Sequence, residues 1–185
     1  MDWYRIRHTI GMHLCPTAIK RAAYLKKHDI LFHVGDNCMT MFRKIPLYPK
    51  LISFGNNVWI ASGVLFITHD VIHRMLNNAQ SSNAFPEYLG CIDIKDNVFV
   101  GSNVTILPNV TIGPNTIVAA GTVVSKSIQN GVYAGVPAKY ICSIEEFAEK
   151  RKQLPSIEIT RGERGLSDET VAACWKRYNE MNKKD

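Results

Sequence analysis

The sequence predicts an all-β core, folded as a parallel β-helix, with helices at both of its ends. Two observations predict this fold class: an aliphatic residue begins each of six consecutive hexapeptides, and Asn or Gly occupies the fourth position of most of them. The first positions are Ile94, Val100, Ile106, Ile112, Val118 and Val124, and the fourth positions are Asn97, Asn103, Asn109, Asn115 and Gly121. Because Asn and Gly tolerate positive φ, each hexad is typical of a short strand that ends in a tight corner. Such a short fixed period is the signature of stacked β coils.

The same register recurs upstream and is interrupted once. Phe54 and Ile60 begin two further hexads, and Val34 begins a fainter one. Three hexads make a triangular coil of about eighteen residues, and successive coils stack at about 4.8 Å. Between Phe66 and Ile92 the pattern fails for about twenty residues, which is long for a structureless connection and indicates a functional loop.

Helical signals flank the repeats. Proline at a helix start and apolar residues at three-to-four spacing predict a helix over about 16–28, which we expect to cap the open end of the coils. Ser143 and Glu146 form a capping-box pattern that predicts a helix to about residue 153, and Ser167 begins a second helix with an apolar stripe. We therefore expect an N-terminal helical cap at 1–33, the hexapeptide-repeat β-helix at 34–142 with an inserted loop at about 70–91, and C-terminal helices at 143–185.

Composition and charge narrow the class of protein. The chain has 185 residues, of which 46% are hydrophobic, enough for one domain with a sizeable core. Its formal charge is +6, but residues 1–30 hold six Lys and Arg against two acids. The numbers of basic and acidic residues in the repeat region are therefore nearly equal, which does not favour nucleic-acid binding. No apolar run is long enough to span a membrane. Five cysteines without metal or redox spacing favour free thiols, and we expect a cytoplasmic protein.

Four ordered motifs carry a family resemblance. They are 60–70 (IASGVLFITHD), 98–113 (VFVGSNVTILPNVTIG), 118–126 (VAAGTVVSK) and 134–139 (AGVPAK). Over roughly residues 34–142 the chain resembles the hexapeptide-repeat acetyltransferases, most of all the sugar O-acetyltransferases of the maltose, galactoside and capsular-polysaccharide type. The resemblance implies a left-handed parallel β-helix, a homotrimer, and acetyl-CoA bound in clefts between neighbouring subunits. The left hand rests on the resemblance alone, because the general preference for right-handed crossovers favours the opposite hand.

His69 is the candidate catalytic residue. Acyl transfer to a sugar needs a base that takes the hydroxyl proton as the oxygen attacks the thioester, and a neutral imidazole suits this role. His69 follows the last regular hexad before the loop, and it matches the catalytic histidine of the family. Two roles are predicted for Asp70: it either orients a substrate hydroxyl or forms the turn at the end of the strand. His73 has the spacing of a metal ligand only if the segment is helical, and direct acyl transfer requires no metal.

A CoA thioester needs cations for its phosphates and a wall of small residues for its long arm. By resemblance, the positions that line the cofactor cleft are Ser102, Ala119, Ala120, Ser125, Lys126 and Lys139. The small residues among them are equally typical of corner packing, which accounts for the repeat but not for Lys126.

The acceptor site is less well defined by the sequence. Arg43, with Lys44 and Tyr48, is a candidate contact for an acidic or phosphorylated sugar. Phe85 and Tyr88 in the inserted loop are candidates for stacking on a pyranose ring, or alternatively for anchoring the loop.

These residues together predict an acetyl-CoA-dependent O-acetyltransferase that acts directly on a saccharide hydroxyl, with a cell-surface polysaccharide precursor as the expected acceptor. An alternative with the same fold is an N-acetyltransferase for an amino sugar, or an acetyltransferase for a xenobiotic hydroxyl. An alternative of another class is a non-catalytic scaffold, since stacked repeats often serve as binding surfaces.

Overall fold

The computed structural model describes residues 3–162 and 165–182. The chain divides into two compact units, Met1–Phe147 and Ala148–Asp185. Helices lie near both ends of the chain and within the predicted insertion. They are α1 (Trp3–Leu14), α2 (Ala18–Lys27), α3 (Ile72–Ala79), α4 (Ile144–Lys152) and α5 (Asp168–Met181). No helix among the described residues is both long and apolar enough to cross a bilayer.

Short strands, most of them two or three residues long, make up the repeat region. They are β1 (His33–Val34), β2 (Met39–Thr40), β3 (Ile52–Phe54), β4 (Val58–Ile60), β5 (Leu65–Phe66), β6 (Ile92–Ile94), β7 (Val98–Val100), β8 (Thr105–Ile106), β9 (Val110–Ile112), β10 (Thr116–Val118), β11 (Val123–Val124), β12 (Gly131–Ala134) and β13 (Lys139–Cys142). This density of short strands follows directly from the hexad period.

The strands form three sheets, and the chain visits them in rotation. Sheet A has the order β1-β3-β6-β9, sheet B the order β13-β12-β10-β7-β4-β2, and sheet C the order β11-β8-β5. All neighbours are parallel except β12 and β13. Sheet A pairs Ile92 with Val110, sheet B pairs Val98 with Thr116, and sheet C pairs Thr105 with Val123, so each turn of the coil after the insertion takes eighteen residues. The predicted parallel β-helix is therefore present, with helices at both ends.

The core runs along the axis of the coils. Hexad first positions such as Ile94, Val100 and Ile106 are fully buried, and so is Val104 at a fifth position. Burying each aliphatic side chain of this size contributes about 1.5–3 kcal/mol. The outward positions between them remain partly or fully exposed, as a period-two pattern requires.

The corners have the backbone conformation that the sequence predicts. Asn97, Asn103, Asn109 and Asn115 all have φ between 51° and 60°, and Gly121 has φ of 73°. At one corner the asparagines also bond from coil to coil, because Asn57 Nδ2 donates to Asn97 Oδ1 and Asn97 Nδ2 donates to Asn115 Oδ1, each at 3.0 Å. This amide ladder fixes the stacking register.

The N-terminal helices close the first coil. Met12 of α1 and Leu25 of α2 are fully buried in the same core as the coils. Arg21 is buried, and its guanidinium donates to Thr40 O at 2.9 Å and to Cys15 O at 3.2 Å. The predicted helix at 16–28 is confirmed as α2, with Thr17 accepting from Lys20 N as its N-cap. Helix α1 was not predicted.

The insertion departs from the coils and returns to them at one corner. Thr68 O accepts from Gly90 N at 2.8 Å, and His69 forms an antiparallel bridge with Leu89. Between these ends the segment contains α3, so it is not a structureless loop. The paired ends hold the segment after β5 in a defined position.

The second unit contains a hairpin and α5. Strands β14 (Arg161–Gly162) and β15 (Gly165–Leu166) are antiparallel. Ser167 accepts from Thr170 N as the N-cap of α5, where the sequence predicts a helix start. Trp175, Tyr178 and Met181 on this helix are exposed. The five cysteines of the chain all lie within the described ranges and are free thiols.

Candidate active site

The backbone of His69 is held by both ends of the insertion. His69 comes three residues after β5, pairs with Leu89, and is followed by Asp70, whose N–H donates to Tyr88 O at 3.4 Å. Thr68 just before it is buried, and its Oγ1 donates to Leu47 O at 3.1 Å. The imidazole therefore projects from a fixed point where the regular coil ends.

The ring of His69 is half-buried and packs against Tyr48. The two ring centroids lie 5.0 Å apart with an interplanar angle of 83°, an edge-to-face contact. Nδ1 of His69 is enclosed, with no hydrogen-bond partner among the described residues. Because Nδ1 is enclosed, Nε2 is the candidate atom to accept a proton in base catalysis.

Tyr48 connects the first coil to the insertion. Its φ is 53°, a left-handed conformation that is rare for a bulky residue. Its hydroxyl lies 3.5 Å from Glu87 Oε1 in the insertion, and its ring covers His69. From the sequence, Tyr48 is predicted only as a sugar contact, and its contact with His69 was not predicted. No sequence signal marks a tyrosine for positive φ.

Asp70 and His73 lie where the insertion begins. Asp70 Oδ1 accepts from Ile72 N at 3.0 Å, a contact consistent with a turn-forming residue before α3. Because α3 begins at Ile72, His69 lies outside the helix and does not share a helical face with His73. Among the described residues, no group of three His, Cys, Asp or Glu side chains is arranged to hold a metal ion.

Phe85 and Tyr88 are fixed in place by amide side chains. Asn77 brackets the backbone of Phe85, donating to Phe85 O at 2.9 Å and accepting from Phe85 N at 3.0 Å. Tyr88 accepts from Asn109 Nδ2 at 2.8 Å and is half exposed. These contacts are consistent with the alternative in which Phe85 and Tyr88 anchor the inserted segment.

Three of the predicted cofactor residues meet at the corner between sheets B and C. Ser102 and Ala120 occupy equivalent positions in successive coils, and Gly121 N donates to Ser102 O at 2.8 Å. Ala119 stacks on Gly101, where a Cβ would lie only 2.6 Å from Ala120 N, so the close approach requires glycine. We call Gly101, Ser102, Ala119 and Ala120 the small-residue corner.

The other three lie elsewhere. Ser125 and Lys126 follow β11 at the corner between sheets C and A, where His69 lies two coils earlier, and both are exposed. The vertical separation is about 10 Å at ~4.8 Å per coil. Lys139 lies in β13, opposite Ala134 of β12. Within one protomer, His69 and the small-residue corner are therefore at opposite ends of the sheet C strands.

Arg43 lines a cavity of about 490 Å³ beside β5, together with Arg5 and Lys44. Its guanidinium donates to His13 O at 3.0 Å, at the end of α1. Arg5 was not predicted beside Arg43, because its place at the cavity depends on α1, which was not predicted.

The chain folds as a three-sided coil of hexapeptide repeats, and among the described residues the insertion leaves the coil beside His69. Residues 92–126 match the family described as bacterial transferase hexapeptide (six repeats). No curated protein sequence matches the chain.

Solved structures of acetyltransferases are similar to this chain. A maltose O-acetyltransferase from Clostridium difficile 630 is 27% identical, over 76% of this chain and 84% of that one, with a TM-score of 0.53. A galactoside acetyltransferase in complex with coenzyme A is 26% identical, over 84% of this chain and 88% of that one, with a TM-score of 0.52. A hexapeptide-repeat-containing acetyltransferase from Vibrio cholerae shares the fold, at 21% identity over 76% of this chain and 89% of that one, with a TM-score of 0.52. The predicted resemblance to hexapeptide-repeat acetyltransferases is confirmed, and the comparisons bear out the prediction of an acyltransferase.

Proposed function

We propose that this protein is an acetyl-CoA-dependent O-acetyltransferase that acts on a saccharide hydroxyl, with His69 as general base. The observation that carries the proposal is the position of His69 at the break in the repeat, where its backbone pairs with Leu89 and its ring packs against Tyr48. The similar maltose and galactoside enzymes support a saccharide as the acceptor class. A cell-surface polysaccharide precursor is the acceptor that we infer within that class.

The reaction proceeds by direct transfer. Nε2 of His69 takes the proton of the acceptor hydroxyl while its oxygen attacks the thioester carbonyl. The tetrahedral intermediate then expels the CoA thiolate, and the imidazolium returns the proton to the sulfur. The products are an acetyl ester and CoA, and His69 ends neutral. No acyl-enzyme is formed, so no nucleophilic side chain is required.

The donor lies against the coils. The small-residue corner offers a backbone wall without side chains that block the arm of CoA, and Lys126 and Lys139 are the cations that we assign to its phosphates. We further infer a left-handed coil and a homotrimer that binds the donor between subunits. We also infer a cytoplasmic location, where acetyl-CoA is available as the donor and the five free thiols remain reduced.

The test is the substitution His69→Ala. It should lower kcat by about two to four orders of magnitude, the usual contribution of a positioned general base, because the remaining residues still bind both substrates. Thiol release measures turnover, and calorimetry with CoA should give an unchanged dissociation constant.

His73→Ala is the matched control. It removes a second half-buried histidine from the same insertion, and turnover should stay within about threefold of the parent, since His73 does not share a face with His69. Equal turnover in the parent and the His69→Ala protein would refute the assignment of the base.

A further inference from the structure

The charged side chains around the cavity beside β5 are all basic. Arg5, Arg43 and Lys44 line it, and its other nine lining residues include no Asp or Glu. The cavity has a volume of about 490 Å³, large enough for a sugar-sized group.

The guanidinium of Arg43 contacts a neutral group beside the cavity. It donates to the neutral carbonyl of His13. Arg21, buried next to it, likewise donates to the carbonyls of Thr40 and Cys15. The pKa of Arg21 is lowered first by burial and then by the neighbouring charge of Arg43, as expected where cations accumulate.

The same chain segment leads from this cavity to the candidate base. Leu47 lines the cavity, and its carbonyl accepts from Thr68, the residue before His69. Tyr48 comes next and covers the His69 ring. Leu65 and Phe66 of β5 form another wall of the cavity and precede His69 by a few residues. A ligand in the cavity therefore lies beside the residues that position the imidazole.

We propose that this cavity binds an anionic group of the acceptor, a carboxylate or a phosphate, through Arg43 and Lys44, so that the preferred acceptor is an acidic saccharide or a sugar phosphate. Arg43 supplies a planar fork that matches either oxyanion, and Lys44 supplies a mobile point charge. A neutral sugar needs neither. The proposal rests on the proposed function and names the substrate class of the same site.

The experiment compares three acceptors with the same ring: D-galactose, D-galacturonate and D-galactose 1-phosphate. The parent protein should acetylate at least one anionic acceptor with kcat/KM about tenfold or more above that of galactose, and raised salt should reduce this preference. The two anionic arms separate a carboxylate site from a phosphate site.

Two variants locate the effect. Lys44→Gln and Arg43→Gln should each raise KM for the anionic acceptor about tenfold, while KM for acetyl-CoA stays unchanged. Lys44 is exposed, so its variant should fold even if Arg43→Gln loosens the end of α1. Lys95→Gln, which removes an exposed cation paired with Asp93, is the matched control and should leave the acceptor preference intact.

Equal kcat/KM for all three acceptors would overturn the proposal, and so would variants that raise KM only for acetyl-CoA, because the cavity would then serve the donor. Calorimetry of the parent protein with galacturonate and with galactose 1-phosphate gives a readout independent of turnover. Binding of one of them that is lost in Lys44→Gln supports the anion site even if His69 proves not to be the base. If neither anionic sugar binds, but CoA thiol is released when neutral galactose is the acceptor, the anion site is rejected and the proposed acetyltransferase function is not.

Discussion

Tyr48 shows how the backbone of one residue shapes the surroundings of His69. A positive φ costs a bulky L-residue about 1–2 kcal/mol, yet Tyr48 keeps φ of 53° just before Pro49. This conformation places the ring edge-to-face on the imidazole. We infer that Tyr48 is a positioning residue whose strain is tolerated because it restricts the orientation of the base.

Replacing Tyr48 should therefore affect the turnover number without lowering the free energy of unfolding. Tyr48→Gly should lower kcat at least about tenfold, because the imidazole loses its packing partner, while the free energy of unfolding stays equal or rises, since glycine adopts this φ without strain. Steady-state kinetics and thermal unfolding measure the two effects. Tyr48→Phe keeps the ring and should retain both properties. A Tyr48→Gly protein with unchanged kcat would show that the contact is only packing.

Single residues differ in how far the sequence reveals them. The corner asparagines were predicted because their type alone permits the αL conformation at a repeating position. His69 was predicted as the base because it lies where the repeat stops and because it matches the catalytic histidine of the family that the chain resembles. The conformation of Tyr48 could not be predicted, since it is imposed by tertiary contacts against the local preference of tyrosine.

Helices α1 and α2 are joined by a cluster that should respond to pH. Buried His8 lies 3.1 Å from the hydroxyl of Tyr24, and its ring is 5.5 Å from that of His28. Burial first, then the positive charges of His28 and Arg7, lower the pKa of His8 from its ordinary value of 6.5. Because the unfolded chain then binds more protons than the folded one below pH 6.5, stability falls as the solution is acidified through that value.

The prediction is that the melting temperature decreases between about pH 7 and pH 5, and that His8→Phe flattens this part of the profile. Thermal unfolding followed by circular dichroism at a series of pH values makes the measurement. His13→Gln is the matched control, because that side chain is exposed at the end of the same helix. A His8→Phe protein with the parent's slope would place the acid sensitivity elsewhere.

Elements with explicit end signals were predicted, and those without them were not. Helices α2, α4 and α5 begin next to Thr17, Ser143 and Ser167, whose hydroxyls accept backbone N–H groups as the capping rule requires. Helix α1 has no acidic residue in its first turn and contains Gly11 in its interior, and α3 is only eight residues long. Helix α1 is held by the burial of Met12 in the core of the coils, which a local pattern does not report.

At the scale of the molecule, the sequence predicted the coil but not a complete site. A six-residue period determines which side chains face inward, so the three sheets and their eighteen-residue register follow from it. The same six-residue period is compatible with a left-handed or a right-handed coil, so the handedness was inferred only from the family resemblance. The site is divided because His69 and the small-residue corner lie at opposite ends of the sheet C strands.

In the homotrimer that we propose, of about 62 kDa or three times the 20.8 kDa chain, this separation predicts that neighbouring protomers share each site. The His69→Ala protein keeps the corner, whereas Ala120→Trp keeps the base and blocks the corner at an exposed position. Each variant alone should be nearly inactive. After unfolding and refolding as an equal mixture, about a quarter of the sites should pair an intact His69 with an intact corner from the adjacent protomer, and activity should recover to that extent. Sedimentation confirms that the mixture assembles. A mixture that assembles but stays as inactive as its components would show that one protomer supplies both halves of the site.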